Sequence, residues 1–186
     1  MQSEEAPPPK WRIEVFEKAK HDRGSFDCGT PVLNEYLKTR ASQDVKANLA
    51  VLWVATSVAD TANPKKIVGF YTISMSAVRL QAVPEEQRKA LARYPNVPVT
   101  HLGRMAVATD LQGQGLGKRL LAHCMYRVKD TAEKIACVGM DVIAKDEKAK
   151  NFYLRMGFKM LLDEEKHLFL PISVIKQLPP EVLQPK

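Results

Sequence analysis

The 186-residue chain is predicted to fold as an α/β protein with a mixed central sheet flanked by helices. Three observations carry that prediction. Segments with the period of a strand alternate with segments with the period of a helix. A hydrophobic fraction of 45% over this length suffices for a buried core without disulfide or metal staples. A glycine-rich loop, Gln112–Gly117, stands between a strand-like and a helix-like segment. The length suits one domain of ordinary size, or at most one and a half.

In chain order, residues 1–10 are expected to be disordered or extended, because Pro7, Pro8 and Pro9 lack a backbone donor. Trp11, Ile13 and Val15 alternate with Arg12 and Glu14, the period of a half-buried strand. His21–Gly29 is turn-rich. Thr30-Pro31 reads as an N-cap and a first-turn proline, and Leu33, Tyr36 and Leu37 give the helix its apolar face. Leu49–Ala55 reads as a buried strand, Asp60–Pro64 as a turn and Ile67–Met75 as the hairpin partner. Pro84–Arg93 is expected to be helical and Val99–Ala108 a strand. After the loop, Leu116, Leu120, Leu121, Cys124 and Val128 fall at helical spacing. Ala136–Ile143 reads as a strand. Asp146–Met156 reads as a helix with Ala149, Phe152, Tyr153 and Met156 on one face, ended by Gly157. Phe158–Leu162 and His167–Leu170 read as a closing hairpin ended by Pro171, and residues 172–186 as a tail. No internal repeat is found.

Several function classes are excluded by composition. No apolar run approaches the roughly 20 residues that cross a bilayer. The N-terminus carries acids and prolines where a signal peptide would carry bases and an apolar stretch, so a cytoplasmic protein is expected. Three cysteines without a C-x-x-C pair give no disulfide framework. A net charge of +7 permits an anionic partner without naming one. The lysines at 145, 148 and 150 alternate with acids and read as a solvated helix face. The stretch from Arg79 to Arg93 is more one-sided.

The loop Gln112-Gly-Gln-Gly-Leu-Gly117 has a plain physical reading. Glycines let successive N–H groups converge, and the following helix adds the positive end of its dipole. Together they suit a phosphate or diphosphate. A Walker A loop does not fit, because Gln112 and Arg119 stand where glycine and Ser/Thr are needed. A Rossmann fingerprint does not fit either, because the third glycine falls one residue early at Gly117. A tight turn without a ligand is the alternative.

With its strand and helix, Gln112-x-x-Gly115-x-Gly117 resembles the acyl-CoA diphosphate loop of the GNAT (GCN5-related) N-acetyltransferases. Ala149-x-Asn151-Phe-Tyr153-x-x-x-Gly157-Phe158 resembles a second signature of that family. Phe26-Asp-Cys-Gly29, Leu33-Asn-Glu-Tyr-Leu37 and Gly69-Phe-Tyr71 are similar to the subgroup that serves as toxins of type II toxin–antitoxin modules and acetylates aminoacyl-tRNA. The likeness spans roughly residues 11–171. It implies a sheet with a splayed parallel strand pair that binds acyl-CoA, acetyl-CoA as donor, and no metal. It implies an aminoacyl-tRNA substrate, a cognate antitoxin of ribbon-helix-helix type, and a homodimer as one possible assembly.

Carried over residue by residue, the resemblance implies that Met105, Ala106 and Val107 offer backbone groups to the pantetheine and the thioester. Gln112, Gly113, Gln114, Gly115, Leu116 and Gly117 would hold the diphosphate through peptide N–H groups, with Lys118 and Asn151 as further cofactor contacts. Tyr153 would be the general acid for the departing thiolate, since a phenol titrates near pH 10 and is protonated at neutrality. A core tyrosine with a satisfied hydroxyl is the alternative. Arg79, Arg88, Lys89, Arg93 and Arg104 are expected to grip the tRNA backbone. No acid stands obviously placed as a general base; Asp141 is the best candidate, while Asp163 and Glu165 read as solvated. Cys28, Cys124 and Cys137 read as packed thiols, His101 as a hydrogen-bonded structural histidine, and Trp11 and Trp53 as strand packing. Two other functions stay open: acetylation of a protein N-terminus or small amine, and a non-catalytic acetyl-CoA-binding or DNA-regulatory role.

Overall fold

The computed structural model describes residues 10–91 and 94–179. Its strands are β1 (Trp11–Val15), β2 (His21–Asp22), β3 (Val51–Ser57), β4 (Lys65–Arg79), β5 (Asn96–Val107), β6 (Gly139–Ile143), β7 (Lys159–Met160) and β8 (His167–Pro171). Its α-helices are α1 (Pro31–Glu35), α2 (Ala41–Lys46), α3 (Glu85–Arg88), α4 (Leu116–Ala132), α5 (Glu147–Arg155) and α6 (Ile172–Gln177). One π-helical turn, Tyr36–Arg40, joins α1 to α2. The eight strands follow the path β1-β3-β4-β5-β6-β8-β7, with β2 paired to β4 off that path.

The described chain divides into two compact units. One comprises residues up to Thr72, Arg104–His123 and the segment from Pro179, and the other Ile73–Gly103 and Cys124–Leu178. In the first, β1 pairs antiparallel with β3 from Trp11↔Ser57 to Val15↔Trp53. Its core gathers Phe16, Phe26, Tyr36, Leu37, Leu52, Val54, Ile67, Phe70 and Ala106. Phe26 meets Phe70 edge to face, with ring centroids 5.4 Å apart. Val15 is exposed despite its period, because β1 ends the sheet path and is covered on fewer sides.

In the second unit, β5 and β6 run parallel with Thr100↔Met140, His101↔Asp141 and Leu102↔Val142. That register covers these three pairs, while β5 itself continues to Val107. β6 pairs antiparallel with β8, and β7 and β8 form the expected closing hairpin. Val78, Leu80, Val83, Val97, Val99, Leu161 and Phe169 form its core.

The sequence-based limits shift in instructive places. The strand expected at Ile67–Met75 is a 15-residue element, longer at both ends. The helix expected at Pro84–Arg93 is one α turn followed by a 3-10 turn, Lys89–Leu91. The segment read as a tail after Pro171 opens with α6, whose Ile175 is fully buried. Lys150, read as part of a solvated face, is 9% exposed, with its ammonium 3.2 Å from Glu165 and 3.7 Å from Glu147. Two acids compensate its burial. Residues 1–9, Arg93 and Pro180–Lys186 lie outside the described residues, and with them part of the expected N-terminal segment, tail and basic stretch.

Candidate active site

The glycine loop lies in the first unit. It follows a 3-10 turn, Thr109–Leu111, and runs directly into α4. Gly113 has φ +79° and Gly115 φ +92°, left-handed values that cost a residue with a side chain about 1–2 kcal/mol. The first N–H groups of a helix have no partner within it. Here the Arg119 N–H reaches the Gly115 carbonyl at 3.1 Å, so the groups before it in α4 stay open. Loop and helix therefore present converging donors at the positive end of a 17-residue helix. This arrangement suits a diphosphate, and the residues fit the acyl-CoA that the resemblance implies.

The glutamine side chains do something the sequence did not suggest. The Gln112 amide donates to the carbonyls of Cys28 and Val107, both at 3.0 Å. The Gln114 amide donates to the Asp110 carbonyl at 2.9 Å. Both side chains shape the loop from behind. Met105 and Val107 are half-buried and Ala106 is buried on β5. Lys118 is exposed at the first turn of α4.

Tyr153 lies in the second unit, on α5. The helix begins at Asp146, whose side chain accepts from the Ala149 N–H at 2.8 Å, an N-cap that fixes the start of the Tyr153 face. Tyr153 is 6% exposed, its ring between Phe152 and Phe158 at centroid distances of 5.3 and 5.4 Å. Among the described residues its hydroxyl has no hydrogen-bond partner. Burial, with a smaller push from Cys124, raises its pKa well above the ordinary tyrosine value, so the phenol keeps its proton at neutral pH. Asn151 is exposed on the same helix.

The expected tRNA-binding residues divide. Arg79 and Lys89 are exposed in the second unit. Arg88 is half-buried and its Nε donates to the Val83 carbonyl at 2.8 Å, so part of its guanidinium serves the local turn. Arg104 is exposed in the first unit, its guanidinium 3.8 Å from the centroid of the Tyr36 ring.

The second unit also holds a cluster that the sequence did not reveal. Asp141 on β6 is 3% exposed. His101 Nδ1 lies 3.1 Å from both its oxygens, and His167 Nε2 lies 2.8 Å from Oδ2. His167 Nδ1 reaches Asp163 at 3.0 Å. Burial pushes the Asp141 carboxyl up, but the two imidazoles outweigh it and hold its pKa below the ordinary value. The pKa of His167 is raised, first by its bond to Asp141. A carboxylate engaged on both oxygens is poorly suited to the base role considered for Asp141. Asp163, read as solvated, serves the cluster instead. His101 is hydrogen-bonded, as expected. Cys28, Cys124 and Cys137 are buried free thiols. Trp53 stacks on Tyr71 at 12° and 6.4 Å, consistent with strand packing. No helix among the described residues is long and apolar enough to cross a membrane.

The comparisons identify the class of protein. A family model for the acetyltransferase (GNAT) domain matches residues 48–160. The chain belongs to the GNAT acetyltransferases. It is 30% identical over 149 residues to the tRNA-acetylating toxin of Mycobacterium tuberculosis, covering 80% of this chain and 85% of that protein. A solved structure of KacT, in a Tyr-to-Phe mutant, superposes with a TM-score of 0.86 at 35% identity, covering 92% of this chain and 100% of that one. AtaT complexed with acetyl-methionyl-tRNAfMet gives a TM-score of 0.82 at 30% identity, covering 89% and 97%. Another AtaT mutant structure holds the C-terminus of the antitoxin AtaR and acetyl-CoA, with a TM-score of 0.76 at 28% identity, covering 90% and 97%.

Proposed function

We propose that residues 11–171 form an acetyltransferase toxin that moves an acetyl group from acetyl-CoA to the α-amino group of aminoacyl-tRNA and so blocks translation. The observation that carries this reading is the likeness, over about nine-tenths of the chain, to AtaT seen with acetyl-methionyl-tRNAfMet. The open N–H groups before Arg119 and the unpartnered Tyr153 hydroxyl supply the chemistry it requires.

In this reading acetyl-CoA is a substrate. The N–H groups of Gly113, Gly115, Leu116 and Gly117 bind its diphosphate, and Lys118 adds positive charge. Backbone groups of Met105, Ala106 and Val107 orient the pantetheine and polarise the thioester carbonyl. Asn151 contacts the cofactor arm. The neutral α-amine attacks the carbonyl carbon, the C–N bond forms and the C–S bond breaks. The departing sulfur takes the phenolic proton of Tyr153. The nitrogen releases its proton to solvent, from which Tyr153 is restored. An ester lowers the pKa of its α-amine, so the reaction asks little of a general base. Arg79, Lys89, Arg93 and Arg104, with what remains free of Arg88, neutralise tRNA phosphates. A cognate antitoxin of ribbon-helix-helix type restrains the enzyme in the cytoplasm.

Induced expression in a bacterial host tests the reading. Growth should arrest with the native chain and continue with Tyr153→Phe at equal protein level. Unimpaired growth with the native chain contradicts it.

A further inference from the structure

We infer that Asn34 is a positioning residue for the acyl-CoA loop, acting through the Asp27–Gly29 turn on Thr109 and Gln112. This rests on reading Gly113–Gly117 as the diphosphate site.

The contacts form one chain within the first unit. Asn34, on α1, uses both ends of its amide. Its Oδ1 accepts the Cys28 N–H at 2.9 Å, and its Nδ2 donates to Asp27 Oδ1 at 2.7 Å. The same Asp27 oxygen accepts the Gly29 N–H at 2.8 Å. Asp27, Cys28 and Gly29 are thereby fixed as a turn, with Gly29 at φ +73°. The outward carbonyls of that turn face the start of the loop. The Asp27 carbonyl accepts the Thr109 N–H at 3.0 Å, and the Cys28 carbonyl accepts the Gln112 amide at 3.0 Å. That amide also bonds the Val107 carbonyl, closing the segment from β5 to the first loop glycine. At Gly29 the fit is close, since a Cβ there would stand 3.3 Å from Thr109 Cγ2. Asp27 stays ionised because the Gly29 N–H and then the Asn34 amide hold its carboxyl below the ordinary range.

The motif Asp-Cys-Gly with Asn34 therefore supports a site about 80 positions away in sequence rather than forming one of its own. Gly113 and Gly115 have no side chains to hold their shape, and Gly113 follows Gln112 directly. Releasing the Gln112 anchor frees φ and ψ at residues whose preorganisation sets diphosphate affinity. The chain of contacts meets the pantetheine strand only at the Val107 carbonyl and ends otherwise on Thr109 and Gln112 at the loop, so the loss should fall on donor binding rather than on the chemical step.

The test compares two acetyl donors, acetyl-CoA and S-acetylpantetheine, which lacks the diphosphate, with native protein and Asn34→Leu. Native protein should prefer acetyl-CoA strongly. In Asn34→Leu the KM for acetyl-CoA should rise about tenfold, the scale of a lost charge-assisted hydrogen bond, with kcat nearly unchanged. Its kcat/KM for S-acetylpantetheine should equal that of native protein. Asn34→Asp, which keeps the acceptor for Cys28 but loses the donor to Asp27, should move in the same direction and serves if the leucine variant does not fold. Combined with Gln112→Met, the two effects on acetyl-CoA should be less than additive, because both cut one chain. If native protein prefers acetyl-CoA but the Asn34 variants match it, or lose both donors in parallel, the inference falls while the loop reading stands. If native protein does not distinguish the donors, the diphosphate reading falls and takes the inference with it.

Discussion

Tyr153→Phe removes one oxygen from a ring that touches Phe152 and Phe158 and has no hydrogen bond among the described residues. The apolar contacts survive, and no bonded partner is left behind. Stability should therefore change by less than about 1 kcal/mol. The catalytic effect should be much larger. General acid catalysis contributes roughly 10²–10⁴-fold. A thiolate can depart without full protonation, which places the expected loss in the lower half of that range, about 10²–10³-fold in kcat. Donor binding should be unchanged, because the hydroxyl acts only as the C–S bond breaks. Single-turnover transfer from labelled acetyl-CoA, alongside thermal unfolding and calorimetric binding of CoA, measures all three quantities. Native-like turnover refutes the acid role. A destabilised variant with proportionate loss of activity would make Tyr153 a structural residue.

Three further outcomes are expected. Gly115→Ala places a Cβ in open space but at φ +92°. The strain of about 1–2 kcal/mol should appear as roughly a tenfold rise in KM for acetyl-CoA, and calorimetry should show the same loss with CoA. The Asp141–His167 pair is fully formed between two limits. The depressed carboxyl loses its contribution as pH falls through its folded pKa, below the ordinary 3.8. The raised imidazole loses its contribution as pH rises through its folded pKa, above the ordinary 6.5. Asp141→Asn should therefore cost more stability at pH 5.5, about 1.5–3 kcal/mol, than at pH 8.5 in urea titrations; equal losses contradict the linkage. Reversing the charge of Arg79, Lys89 and Arg104 together should raise KM for charged tRNA at least tenfold and flatten its salt dependence, with acetyl-CoA affinity unchanged.

What could be read from the sequence was local. The loop was legible because Gly113, Gly115 and Gly117 free the backbone at alternate positions between a strand-like and a helix-like segment. Tyr153 was legible because Ala149, Phe152 and Met156 share its face at helical spacing, and the structure adds that its hydroxyl is unpartnered. Long-range pairing hid the rest. Cys28 and Gln112 are 84 residues apart, so the support of the loop by the Asp27–Gly29 turn left no local pattern. The cluster around Asp141 depends on the parallel register of β5 with β6 and on a diagonal reach from β8. Lys150 carried the signature of a solvated helix face, and only the position of Glu165 in the turn before β8 makes its burial tolerable. α6 follows a proline that reads equally well as a stop.

Acetylation of aminoacyl-tRNA is tested most directly by incubating the protein with labelled acetyl-CoA and a pool of charged tRNA, digesting the RNA, and identifying the labelled aminoacyl-adenosine by mass spectrometry. Label is expected on the α-amino group of one or a few aminoacyl esters, and none on uncharged tRNA. Label found only on protein N-termini or small amines, with every aminoacyl ester unmodified, would contradict the proposed activity.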